Sequence, residues 1–133
     1  MAAAALAACD SGANRLRITS ADGTLERLSV RYAEARTAEE RRDGLRTRPP
    51  LQPDEGLVLV FPLEGEVCIH NVGVAYGIDV VFVASDDRVV GQPVPLAAEE
   101  AEAACRAPVD RVVEVRAGVA ATVRAGDRVL GGP

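Results

Sequence analysis

Residues 66–83 read EVCIHNVGVAYGIDVVFV, and the two ends of this stretch carry different patterns. At 66–70 apolar and polar residues alternate, so Val67 and Ile69 point one way and Glu66, Cys68 and His70 the other. That is a half-buried strand. The run IDVVFV at 78–83 reads as a buried strand, interrupted only by Asp79. LVLVF at 57–61 is apolar throughout and reads as a strand covered on both faces.

Upstream, RLRIT (15–19) and LERLSVRY (25–32) alternate around an Asp-Gly turn, which predicts an opening hairpin with Leu28, Val30 and Tyr32 on one face. Thr37 and Glu40 form a capping box and Gly44 suits a C-cap, so a short helix is expected over 38–43. RTRPPLQPDEG (46–56) is a loop, because its prolines remove donors and fix φ. Downstream, RVVGQPV (88–94) is expected to return as a hairpin partner of 78–83, with Gly91 and Pro93 marking a bulge or edge. LAAEEAEAAC (96–105) has helical composition and reads as a short exposed helix or an acidic loop. RVVEVR (111–116) and a segment near 127–130 complete the strands. About seven short strands with one or two short helices predict a mainly β, α+β domain: a small mixed barrel or sandwich. The strands do not alternate with helices at the spacing of a doubly wound sheet. A single domain is expected over 15–133, with 1–14 as a separate signal remnant and tether.

Composition narrows the function. The 133 residues are 48% apolar and only 3% aromatic, so the core is built from Val, Leu, Ile and Ala. Every basic side chain except the one histidine is arginine, and the net charge of -5 argues against a nucleic-acid partner. No apolar run of about 18 residues is present to span a membrane. No glycine-rich phosphate loop, HExxH or GxSxG motif occurs, and no cofactor is expected.

Five segments resemble, in order, a known family. ERRDGLRTR (40–48) is similar to the E-R-x-x-G-L-M-x-R segment of the domain of unknown function 192 family. DEGLVLVF (54–61) is similar to its D-x-G-M-L-F-V-F, and 67–83 to its F-W-M-K-N-T-x-I-P-L-D-I-I-F-I. RVVEVRAG (111–118) and AGDRV (125–129) resemble its Y-V-L-E-L-x-A-G and its closing x-G-D-x-V. The resemblance implies a small mixed β-barrel-like domain, often exported, and implies no reaction. The family's Trp falls at Cys68, its Lys at His70 and its Thr at Val72, so only Asn71 of the Lys-Asn-Thr run is kept.

Leu6-Ala7-Ala8-Cys9 resembles the lipobox of bacterial lipoproteins, in which the cysteine is acylated. The other reading is an alanine-rich tail, since no positive segment precedes it and the apolar run is short. The resemblance implies an exported protein, lipid-anchored through Cys9 at the periplasmic face of the envelope; the alternative is cytoplasmic. In an oxidising compartment Cys68 and Cys105 are expected to pair. Two separate buried thiols remain the alternative.

Two sharper chemistries compete for Cys68. With His70 on the same strand face it could be an activated nucleophile. With His70, Cys105 and Asp79 or Glu114 it could hold zinc, although no ligand-pair spacing supports that. The favoured expectation is a non-catalytic, monomeric module binding a small ligand, glycan or protein through His70, Asn71, Asp79 and Glu114, with no metal. Asp79 and Glu114 each interrupt an apolar strand, and Arg41, Arg48 and Arg111 are candidate ion-pair partners.

Overall fold

The structure, a computed structural model, describes residues 14–133; the lipobox-like segment with Cys9 lies outside the described residues. Strand β4 (Ile78–Val83) is buried at every position. Its alternation divides the interior in two. Val81 and Val83 enter one apolar cluster with Leu16, Ile18 and Val113, whereas Val80 and Phe82 enter another with Leu57, Leu59 and Val112. The doubly apolar run at 57–61 behaves the same way, with Val58 in the first cluster and its neighbours in the second.

Around β4 the chain supplies β1 (Arg15–Thr19), β2 (Glu26–Ala35), helix α1 (Ala38–Asp43), a 3-10 turn (Gly44–Thr47), β3 (Glu55–Ile69), β5 (Val94–Leu96), β6 (Ala104–Arg116) and β7 (Arg128–Leu130). They form one seven-stranded sheet in the order β5-β4-β6-β3-β2-β1-β7. β2 and β3 run parallel, and the crossover that a parallel pair requires carries α1 and the 3-10 turn. The other neighbours are antiparallel.

The sheet curls into a half-barrel. Val89 bridges to Val83 on β4, and Arg88 bridges to Arg128 on β7. The Val89 N–H also donates to Asp127 O at 2.9 Å. Residues of β4 and β7, from opposite halves of the sheet order, therefore meet in the cluster of Leu16, Val83, Val89 and Val129, which fills the concave side. The outer face is covered by Leu45 of the 3-10 turn and by Leu51 and Val74 from loops.

The expected mainly β fold with one short helix is thus present, and α1 occupies 38–43 with both capping-box bonds, Glu40 N to Thr37 Oγ1 and Thr37 N to Glu40 Oε1, at 3.0 Å. Two segments differ from expectation, and a third takes the second of its two expected forms. The strands read at 57–61 and 66–70 are one strand, β3, whose register shifts on either side of Gly65. Pro62, which has no N–H, falls in the part of β3 without ladder partners. Within 88–93 only Val89 bridges to β4, and the regular partner, β5, starts at Val94. The 96–105 segment is not helical. Residues 97–103 are an acidic loop, and β6 already begins at Ala104. That segment has no apolar stripe to bury, so helical composition had nothing to stabilise it.

Candidate functional site

β3 and β6 are the longest strands and pair along most of their length. Cys68 and Cys105 are direct ladder partners, and their sulfurs form a disulfide with an S–S distance of 2.11 Å. The expected pairing is present, on the exposed face of the ladder. It removes Cys68 as a nucleophile for His70 to activate. It also occupies both sulfurs of the four-ligand zinc arrangement. Among the described residues, no group of three or more His, Cys, Asp or Glu side chains is placed to hold a metal ion. His70 is exposed just beyond β3, and its Nδ1 accepts the Val72 N–H at 3.2 Å.

Beside the disulfide, a cavity of about 200 Å³ opens between α1 with its 3-10 turn, the outer face of β3 and β6, and the loop after β3. Cys68, His70, Asn71 and Glu114 all line it. Three of the four expected ligand residues are therefore brought together although 44 positions of chain separate the first, His70, from the last, Glu114.

Glu114 sits at the bottom of this arrangement. Its ladder partners are Leu57 on β3 and Val80 on β4, both members of the outer apolar cluster. Among the described residues its carboxyl takes part in no hydrogen bond or ion pair, and it is 5% exposed. Burial without a compensating partner pushes its pKa up to about 7.

Asn71 is 1% exposed, and both hydrogens of its amide are used. Nδ2 donates to Tyr76 O at 3.0 Å and to Ala97 O at 2.9 Å. Turning the amide over would set an oxygen against two carbonyls, so its orientation is fixed. Oδ1 is wholly shut off from solvent with no partner, the one side-chain atom so placed among the described residues. The Asn71 N–H donates to Glu100 O at 2.9 Å, which ties the loop after β3 to the acidic loop before β6.

Asp79 is placed elsewhere. It lies on the other parity of β4, and its Oδ2 accepts the amides of Gly118 and Ala120 at 2.9 and 3.1 Å. It therefore holds the turn after β6 and does not line the cavity. None of the three candidate arginines pairs with Asp79 or Glu114. Arg41 donates to Val60 O and lies over the Phe61 ring, Arg48 donates to Glu34 O, and Arg111 binds Asp87 and Asp110. Apart from Asp110, which directly precedes Arg111, each partner comes from a chain segment that the sequence does not place next to the arginine.

The cavity's cationic rim, formed by Arg42 and Arg46, was not anticipated. The signal that could have found it is the ERRDGLRTR segment, already one of the five family-like runs. A second hollow of about 320 Å³ lies where β2 and β3 meet the loop at 48–51. Its Arg31 is already paired with Asp54 and Glu55 at 3.3 and 3.4 Å, and no buried unpartnered side-chain atom lines it among the described residues.

The profile of one family, described as uncharacterized ACR, matches residues 17–131. This chain belongs to the domain of unknown function 192 family. Two solved structures share the fold of this family member. A protein of unknown function from Novosphingobium aromaticivorans DSM 12444 superposes with a TM-score of 0.75 at 24% identity, covering 86% of this chain and 82% of that one. A putative transcription regulator from Sinorhizobium meliloti 1021 does so with a TM-score of 0.77 at 24% identity, covering 86% of this chain and 90% of that one. At that identity the likeness concerns the fold alone. No curated protein matches the chain.

Proposed function

We propose that this chain is a non-catalytic envelope module that binds a small ligand in the cavity between α1 and the β3–β6 ladder. The observation that carries the reading is the buried Glu114 carboxyl, which lines the cavity without a partner among the described residues. Buried polar groups are costly unless hydrogen-bonded, and a cavity that keeps a carboxyl unpaired is suited to a ligand that brings donors. His70 stands at the mouth, and Asp79 supports the fold rather than the ligand. The lipobox-like Leu6-Ala7-Ala8-Cys9 and the internal disulfide both fit export and anchoring through Cys9.

The test is a fragment titration followed by amide chemical shifts. Fragments bearing amine, amide or hydroxyl donors are expected to move the Asn71 side-chain amide and the Val72 and Val74 backbone signals. Shifts confined to other surfaces, or none with any donor fragment, would exclude the cavity as the site. Anchoring is tested separately by labelling with a clickable acyl chain: the wild type is expected to be labelled and the Cys9→Ser variant not. Equal labelling of the two would remove the anchor.

A further inference from the structure

We propose that the ligand is a small zwitterion of the amino-carboxylate class, its ammonium seated against Glu114 and its anionic group held by Arg42 and Arg46. This rests on the cavity being the binding site, and it adds the ligand's charge pattern.

The floor sets one end of the ligand. The unmet group on the floor is an acceptor: Glu114 lines the cavity with no partner among the described residues, and the Asn71 amide, whose residue also lines it, has both hydrogens consumed. A carboxylate or phosphate placed there would meet only oxygen atoms. An ammonium supplies several donors at one atom and also the counter-charge that Glu114 lacks.

The rim sets the other end. The charged and titratable groups around the cavity are Arg41, Arg42 and Asp43 of α1, Arg46 of the 3-10 turn, and His70 after β3. Arg41 is committed to backbone carbonyls and to Phe61. The acids nearest Arg42 are Glu39 at 4.0 Å and Asp43 at 3.9 Å, and its side chain is 67% exposed. Arg46 shares Asp43, at 3.7 Å, and donates to Arg42 O at 2.9 Å and Asp43 O at 3.4 Å, which leaves its Nη1 without a partner among the described residues. Two guanidiniums thus share one carboxylate lining the cavity, which leaves positive charge at the mouth for an anion. The stem of Arg46 is held over the cavity by the close approach of Gly73, where an added Cβ would lie 2.5 Å from Arg46 Cδ.

Size sets the third limit. About 200 Å³ is below the roughly 300–1,000 Å³ of drug-sized sites, so the ligand is a metabolite of few heavy atoms. The buried Glu114, with its pKa near 7, adds that seating the ammonium should release a proton at neutral pH.

The experiment is calorimetry at neutral pH with β-alanine, propylamine, propionate and glycerol as probes. The order expected is β-alanine tightest, propylamine weaker, and propionate and glycerol weakest. Glu114→Gln should weaken β-alanine and propylamine by about tenfold or more, the effect of removing a charged hydrogen bond. The Arg42→Gln/Arg46→Gln pair should abolish the preference for β-alanine over propylamine and leave propylamine unchanged. Repeating the titration in buffers of different ionisation enthalpy should show proton release that Glu114→Gln lacks. Glycerol or propionate binding as tightly as β-alanine, with sensitivity to Glu114→Gln, would overturn the ligand class while leaving the cavity as the site. β-Alanine binding indifferent to Glu114→Gln, or no binding of β-alanine, would also overturn the proposal. The shift mapping above then decides independently whether the cavity binds anything else.

Discussion

Cys105 on β6 stands directly opposite Cys68 on β3, with Cα atoms 4.1 Å apart and the sulfurs bonded. The bond closes a separation of 37 residues that contains all of β4 and β5. In the chain-entropy account such a loop contributes about 3–4 kcal/mol. Replacing both cysteines by alanine should lower the unfolding free energy by that amount in urea titrations. The same loss should appear in the wild type under reductant and be absent when the double variant is reduced. An unchanged midpoint would show that the ladder alone sets the stability.

Asp79 joins β4 to the turn after β6 through two amides, those of Gly118 and Ala120. Bonds from amides to a charged acceptor are each stronger than neutral ones, and removal strands two donors. Asp79→Ala should cost about 2–3 kcal/mol and Asp79→Asn about 1 kcal/mol, because the amide oxygen can still accept. Neither should alter β-alanine binding, since Asp79 does not line the cavity. A stability loss equal for the two variants would mean that charge, not acceptance, matters there.

The same residue shows what could and could not be read from the chain. An acid inside an apolar strand announces a special environment, and both Asp79 and Glu114 have one. Which environment depends on partners far away in sequence: Asp79 found amides 39 and 41 positions on, and Glu114 found none among the described residues. The buried strands at 57–61 and 78–83 were legible because alternation and apolar runs are local. The capping box at Thr37 was legible for the same reason. The parallel pairing of β2 with β3 and the start of β6 at Ala104 were not, because strand partners are chosen by tertiary packing. The unmet Asn71 oxygen needs three segments in place before it exists at all.

Gly73 has φ of 85° and faces the Arg46 stem, whereas Gly23 has φ of 79° with nothing within 4 Å of an added Cβ. Alanine at either position pays the left-handed backbone cost of about 1–2 kcal/mol. Only Gly73→Ala must also push Arg46 aside. Thermal unfolding should therefore fall similarly for the two variants, while β-alanine affinity falls for Gly73→Ala alone. Equal affinities would disconnect Arg46 from the ligand.

Glu114 gives the pH dependence its sign. Its carboxyl has a pKa of about 7 in the folded protein against an ordinary 4.5 when unfolded. Below the unfolded value both states hold the proton, and stability owes nothing to it. Between the two values the unfolded chain releases the proton while the folded chain keeps it, so the unfolded state binds fewer protons and stability falls as pH rises. Above the folded value the loss is complete, on the order of 3 kcal/mol, because each tenfold difference in proton affinity between the two states is worth about 1.4 kcal/mol. Glu114→Gln keeps the shape and cannot ionise. Urea midpoints from pH 4 to 8 should fall for the wild type and fall less for Glu114→Gln, with the two close together at the acid end and the variant ahead by a few kcal/mol at the alkaline end. Saturating β-alanine should narrow that gap by supplying the missing counter-charge. Parallel curves for the two proteins would mean that Glu114 is already solvated or paired, and the charge argument for the ligand would go with it.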